Sequence, residues 1–150
     1  MTATSGFGNA LVCLSVLIQR RYAQICADHD LTVAQAQLLC AVKDEPRGMG
    51  ELAQTLGLAK PGLSGLVDRT VRRGLVERVA CPSDRRACSV AGTPMGKEIG
   101  QALHRDVAVR LPDIFEGLTE ADRRILEELV SAAIGSPASG PCPAGGPPAG

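Results

Sequence analysis

Residues 49–93 read MGELAQTLGLAKPGLSGLVDRTVRRGLVERVACPSDRRACSVAGT. Leu52, Ala53 and Leu56 recur at helical spacing, and Gly57 supplies a sharp turn. Leu63, Leu66, Val67 and Val71 then form the buried stripe of a second helix, with the small Ala53 letting the two helices approach. That leaves Lys60, Ser64, Gly65, Asp68, Arg69 and Arg72 facing outward. Gly74 stands where a helix closes in the left-handed conformation. Segments 75–80 and 87–91 read as two short strands, with Pro82, Ser83, Asp84, Arg85 and Arg86 as the turn. Helix, turn, helix and an arginine-tipped hairpin, in that order, predict a winged helix-turn-helix, a device that reads duplex DNA.

The flanks supply what such a unit needs around it. From about Gly8 to Asp28 the residues Leu11, Leu14, Ile18, Tyr22 and Ile25 mark an amphipathic helix. Val12, Cys13, Val16 and Leu17 widen its apolar face enough to imply contact with a second subunit. Thr32 and Gln35 form a capping box for the next helix, which Pro46, Arg47 and Gly48 should end. Thr93 caps a long helix with Pro94 at its first position, and Pro112 should kink or interrupt it. Thr119 caps a last helix whose apolar face is Ile125, Leu126, Leu129, Val130 and Ala133, closed by Gly135. The segments 1–7 and 136–150 carry no hydrophobic pattern, so the first is expected to be loose and the second disordered.

Composition narrows the function. The 150 residues suit one domain with tails, and 45% hydrophobic with 21% charged is ordinary for a globular chain. Two Phe, one Tyr and no Trp leave no aromatic platform for stacking single-stranded bases. Formal net charge is zero, but it is unevenly spread. Residues 60–86 hold seven basic and three acidic side chains, whereas 98–128 hold four arginines and eight acids. A local basic surface balanced by an acidic segment suits a phosphate-facing module. The apolar run 10–18 has its arginines, Arg20 and Arg21, after it rather than before, the reverse of a signal peptide. Nothing approaches the length of a membrane span. The six cysteines are expected as thiols in a reducing cytoplasm, and without CxxC or HxxxH spacing no zinc site is expected.

The run LVDRTVRRGLVER at 66–78, PSDRRA at 82–87 and T-P-x-G at 93–96, preceded by ELAQTLGL, resembles the MarR family (multiple antibiotic resistance regulators) over nearly the whole of 8–134. The resemblance implies a homodimer built on the N- and C-terminal helices, binding an inverted-repeat operator. It also implies a wing that reaches a minor groove, and release by a small molecule or oxidant. The family's Asp-x-Arg wing motif falls on Asp84 and Arg86, where the carboxylate would orient a guanidinium entering the groove; the other reading is a pair that merely fixes the turn. The sequence departs from the family at Pro61, Gly62 and Gly65, which leave few side chains able to read base edges, so phosphate contacts and groove shape should carry much of the affinity. Asp68 is expected to orient Arg72 or another basic neighbour. Gly92, where a large apolar residue is usual, should loosen the wing.

Two readings remain open for the cysteines. Cys81 and Cys88 would be cross-strand neighbours if the hairpin centred near Asp84 and Arg85, giving a thiol switch in the wing. Otherwise they are small residues filling strand positions. Cys13 lies where redox-sensing relatives carry a reactive thiol, but its apolar helix favours a core residue, as for Cys26 and Cys40. His29 and His104 suggest no catalysis.

The expected molecule is mainly α with a small β-wing and is not an enzyme. A DNA-binding lobe spans about 32–93 within a domain at 8–134, with dimerisation helices at about 8–28 and 94–134, between a flexible N-terminus at 1–7 and a Pro/Gly-rich tail at 135–150. Expected DNA contacts are Lys60, Ser64, Gly65, Arg69, Arg72, Asp84, Arg85 and Arg86, and the redox candidates are Cys81, Cys88 and Cys13. Partners are double-stranded DNA, a second copy and a phenolic small molecule, with no cofactor, metal or membrane. The function expected is a repressor released by ligand. The alternatives are a thiol-based redox sensor of the same fold and a winged-helix protein-interaction module without DNA binding.

Overall fold

The computed structural model describes residues 2–81 and 84–135. The tail from Ser136 lies outside the described residues. Helix α1 (Thr2–Asp28) starts at Thr2 rather than near Gly8, so residues 2–7, expected as a loose end, are helical. Nothing in that segment breaks a helix that the following turns have already nucleated. Among its described side chains Ile25 and Cys26, near the C-terminal end, are the buried ones; Phe7 and Val12 are 67% and 63% exposed.

Helix α2 (Val33–Ala41) carries the capping box that the spacing predicts. The Gln35 amide donates to Thr32 Oγ1 and the Thr32 amide to Gln35 Oε1, both at 3.1 Å. The helix ends at Ala41, short of Pro46, and Arg47 Nε donates to the Ala41 carbonyl at 3.2 Å. Arg47 and Gly48 form a two-residue strand, β1 (Arg47–Gly48), too short to leave a periodic trace in the sequence.

Helices α3 (Met49–Leu56) and α4 (Lys60–Arg72) follow, joined through Gly57 at φ +64°. Gly74, at φ +72°, turns the chain out of α4. Strands β2 (Val76–Cys81) and β3 (Asp84–Gly92) pair antiparallel, and β1 adds to β3, so the sheet order is β1-β3-β2. The chain is thus mainly helical with a small three-stranded wing. Asp84, Arg85 and Arg86, expected in the turn, belong to β3 instead; Pro82 and Ser83 lie outside the described residues.

The core sits where the lobe meets the flanking helices. Leu38, Leu52, Leu63, Val67, Val76 and Val90 are fully buried there, joined by Ile25 of α1; each such side chain contributes about 1.5–3 kcal/mol by leaving water. Thr70, buried with them, donates its hydroxyl to the Leu66 carbonyl at 2.7 Å, as a buried polar group must. Helix α5 (Pro94–Arg110) adds Leu103 to this core. It passes into a 3-10 turn at Leu111–Phe115 because Pro112 cannot continue the α-helical ladder. Helix α6 (Glu120–Ile134), capped by Thr119, has no buried residue. Among the described residues no helix is long and apolar enough to cross a membrane.

Candidate nucleic-acid interface

Helix α4 owes its position to Leu63, Leu66 and Val67, which are buried on one side. The geometry of a helix then sends Lys60, Arg69 and Arg72 into solvent, with Ser64, Gly65 and Asp68 half-buried beside them. Among the described residues Lys60, Arg69 and Arg72 have no ion-pair partner, so their charge is available to a polyanion. Pro61 lies in the first turn, and Ala59 provides no side-chain cap. The leading amides of α4 are therefore open, and the helix dipole favours negative charge there. At Gly65 a Cβ would lie 3.2 Å from an Arg69 guanidinium nitrogen: the missing side chain lets Arg69 fold back along the helix.

Asp68 does not join Arg72. Its Oδ1 accepts from Arg78 Nη1 at 2.6 Å, linking α4 to strand β2 of the wing. Arg73, at the end of α4, donates to Gln35 Oε1 at 3.0 Å and is thereby committed to α2. These two arginines belong to the basic cluster by charge, yet they fix the frame. Both bonds join residues far apart in sequence, and no local spacing announces them.

In the wing Val79 pairs with Ser89 and Ala80 with Cys88, after which the register shifts and Cys81 pairs with Asp84. In this register Cys88 stands opposite Ala80 rather than Cys81, which removes the expected apposition of the two cysteines. Cys88 is a free thiol. The side chains of residues 81–87 lie outside the described residues, and with them the expected roles of Asp84, Arg85, Arg86 and Cys81.

Two of the remaining thiols also depart from expectation. Cys13 is exposed in the protomer rather than in the core, and Cys40 is half-buried. Cys26 is buried as expected, and burial pushes its thiol pKa up, which blunts nucleophilicity. His29, in the turn after α1, is paired with Asp106 of α5 at 2.9 Å, and His104 is exposed. Among the described residues no group of three His, Cys, Asp or Glu side chains could hold a metal ion.

Behind the lobe a cleft of about 350 Å³ opens between α2 and α5. Leu39, Cys40 and Lys43 line one wall and Lys97, Gly100 and Arg105 the other, with Tyr22 of α1 at its side. The walls are mainly apolar, and three exposed cations, Lys43, Lys97 and Arg105, stand at the rim together with the exposed carboxylate of Asp44.

A family model described as MarR family matches residues 29–87. The multiple antibiotic resistance protein MarR of Escherichia coli (strain K12) is 28% identical over 143 residues, spanning 89% of this chain and 99% of that protein. The crystal structure of wild-type MarR from E. coli in its apo form superposes with a TM-score of 0.76 at 26% identity, over 84% of this chain and 95% of that one. YsmB of Bacillus subtilis (strain 168), an uncharacterized HTH-type transcriptional regulator, is 35% identical over 80 residues, which span 53% of this chain and 55% of YsmB. The transcriptional repressor CouR, solved bound to a 23-mer DNA duplex, is 30% identical with a TM-score of 0.69, over 84% of this chain and 91% of that one.

Proposed function

The chain belongs to the MarR family of winged-helix transcriptional regulators, and from that premise we propose that it is a homodimeric repressor binding an inverted-repeat operator and released by a small molecule. The observation that carries the DNA contact is the row of exposed cations Lys60, Arg69 and Arg72 on α4, beside a wing whose β3 carries Arg85 and Arg86. In this reading α4 meets the major groove with Ser64 and Gly65 closest to the bases, while Asp84 and Arg86 serve the minor groove. Half-sites about one helical turn apart would match a two-fold dimer. The exposed apolar residues of α1 and α6, such as Val12, Leu17, Ile125 and Leu129, fit a surface covered by the second copy.

The α2–α5 cleft is where the ligand belongs. Its apolar walls and the rim cations Lys97 and Arg105 suit a phenolic molecule with one anionic group. The thiol-switch alternative has less support, because Cys88 is opposite Ala80.

The reading is tested by footprinting the duplex upstream of the chain's own gene. A protected inverted repeat is expected, and Arg86→Ala should weaken binding about tenfold, the scale of ~1.4 kcal/mol, with the dimer intact. Lys60→Ala and Arg69→Ala should each flatten the dependence of affinity on salt. No protection at low salt would turn the reading towards a protein-interaction module.

A further inference from the structure

The first turn of α5 has two neighbours that matter. On one side Gly96, Lys97 and Gly100 line the cleft facing α2. On the other, the same turn is fastened to the chain leaving α4. Thr93 Oγ1 donates to the Gly74 carbonyl at 2.6 Å and accepts from the Gly96 amide at 3.1 Å. The Thr93 amide donates to the Leu75 carbonyl at 3.1 Å. Gly96 is buried, and a Cβ placed on it would lie 1.9 Å from that same carbonyl. Here backbone rests on backbone, with no rotamer to absorb a displacement.

The end of α4 has a second anchor. Arg73 reaches Gln35 of α2 at 3.0 Å. Gly74 and Leu75 close α4 with capping bonds, their amides donating to the Val71 and Thr70 carbonyls at 2.8 and 3.2 Å. The C-terminal end of α4 is therefore held to α2 by Arg73 and to α5 by Thr93 and Gly96, and the cleft lies between those two helices. Anything that separates α2 from α5 must strain one anchor or move the end of α4.

We infer that Thr93 and Gly96 form the joint through which filling the α2–α5 cleft shifts α4 and lowers operator affinity, with Thr93 a positioning residue for that helix. The inference rests on the proposed regulation of DNA binding from this cleft, and it adds the route. Coupling of this kind is an equilibrium property, so a side chain that fills the cleft serves as well as a ligand.

Gly100→Leu is the filling variant, because a Cβ there has Leu39 Cβ as its nearest neighbour at 3.9 Å. Cys40→Trp fills the cleft independently and replaces it if Gly100→Leu does not fold. Two readouts are needed: amide hydrogen exchange at Gly74 and Leu75, which do not line the cleft, and anisotropy with the footprinted duplex. Filling should accelerate exchange at both amides and weaken duplex binding roughly tenfold, within the usual range of allosteric coupling. With Thr93→Val the duplex effect of filling should vanish, and with Thr93→Ser it should persist. Unchanged exchange at Gly74 and Leu75 in a folded filling variant, or a duplex effect undiminished by Thr93→Val, overturns the joint. If the natural chain binds no duplex, the DNA reading fails instead, and the exchange measurement still decides whether the cleft moves the end of α4.

Discussion

Asp106 shows how much a single carboxylate organises. It accepts from His29 at 2.9 Å and from Arg110 at 3.0 Å, while Arg110 also holds Asp28 at 2.7 Å. Arg21 Nε adds a bond to the Arg110 carbonyl at 3.3 Å. Together these bonds lock the C-terminal half of α1 onto α5 and the 3-10 turn. The hydrogen bond to His29, followed by that to Arg110, holds the Asp106 carboxyl below its ordinary value. The folded chain thus takes up this proton less readily than the unfolded one. The stabilisation is present above the ordinary carboxylate pKa of about 3.9 and is lost as pH falls through the lowered value. Asp106→Asn should accordingly unfold at lower urea than the natural chain at pH 5, and the gap should close as the pH falls through the lowered carboxyl value. A gap that stays constant on acidification would mean that the carboxylate's charge is not what matters.

At the scale of elements, the link between α4 and the wing makes a counterintuitive prediction. Removing an acidic residue from the proposed DNA-facing surface should tighten binding if charge alone governs. Asp68, however, holds Arg78 on β2, so Asp68→Ala should free the wing strand and weaken duplex binding several-fold, with the salt dependence nearly unchanged. Tighter binding in a salt-matched titration would remove the orienting role. The elements were legible from sequence where short-range chemistry decides them. Thr32 with Gln35, Gly57, Gly74, Thr93 and Pro112 each act within a turn of their own position, and each boundary they announce is present. The two-residue β1 was not legible, because it exists only through pairing with Ser89 and Val90. Nor was the hairpin register, which depends on a bulge after Ala80, or the partners of Asp68 and Arg73, chosen by tertiary packing. The candidate site was legible on α4, where helical periodicity separates Lys60, Arg69 and Arg72 from the buried leucines. The cleft, assembled from helices distant in sequence, could be anticipated only as a region.

The whole molecule is shaped by surfaces that one protomer leaves uncovered. Ile125, Leu129, Val130 and Ile134 on α6 are 45–64% exposed, and Phe7, Leu11, Val12, Val16 and Leu17 on α1 are in the same condition. Apolar residues in such continuity exceed the scatter of an ordinary surface. In the proposed homodimer these faces are covered, so Leu129→Glu should yield a monomer at micromolar concentration by light scattering and carry the affinity for the proposed operator down with it. A mass that stays dimeric would place the interface elsewhere. Within each protomer the small strand Arg47–Gly48 has a consequence of its own. It pairs with β3 before the chain enters α3, so the sheet and the helix pair are stitched together on the way in as well as on the way out. A duplex that engages α4 then finds the wing already aimed at it, and the second contact forms as a chelate, at an effective concentration on the order of millimolar rather than by a fresh encounter. Individually weak contacts would suffice under that arrangement, so the proposed reading of a duplex by α4 does not require side chains at Gly62 and Gly65.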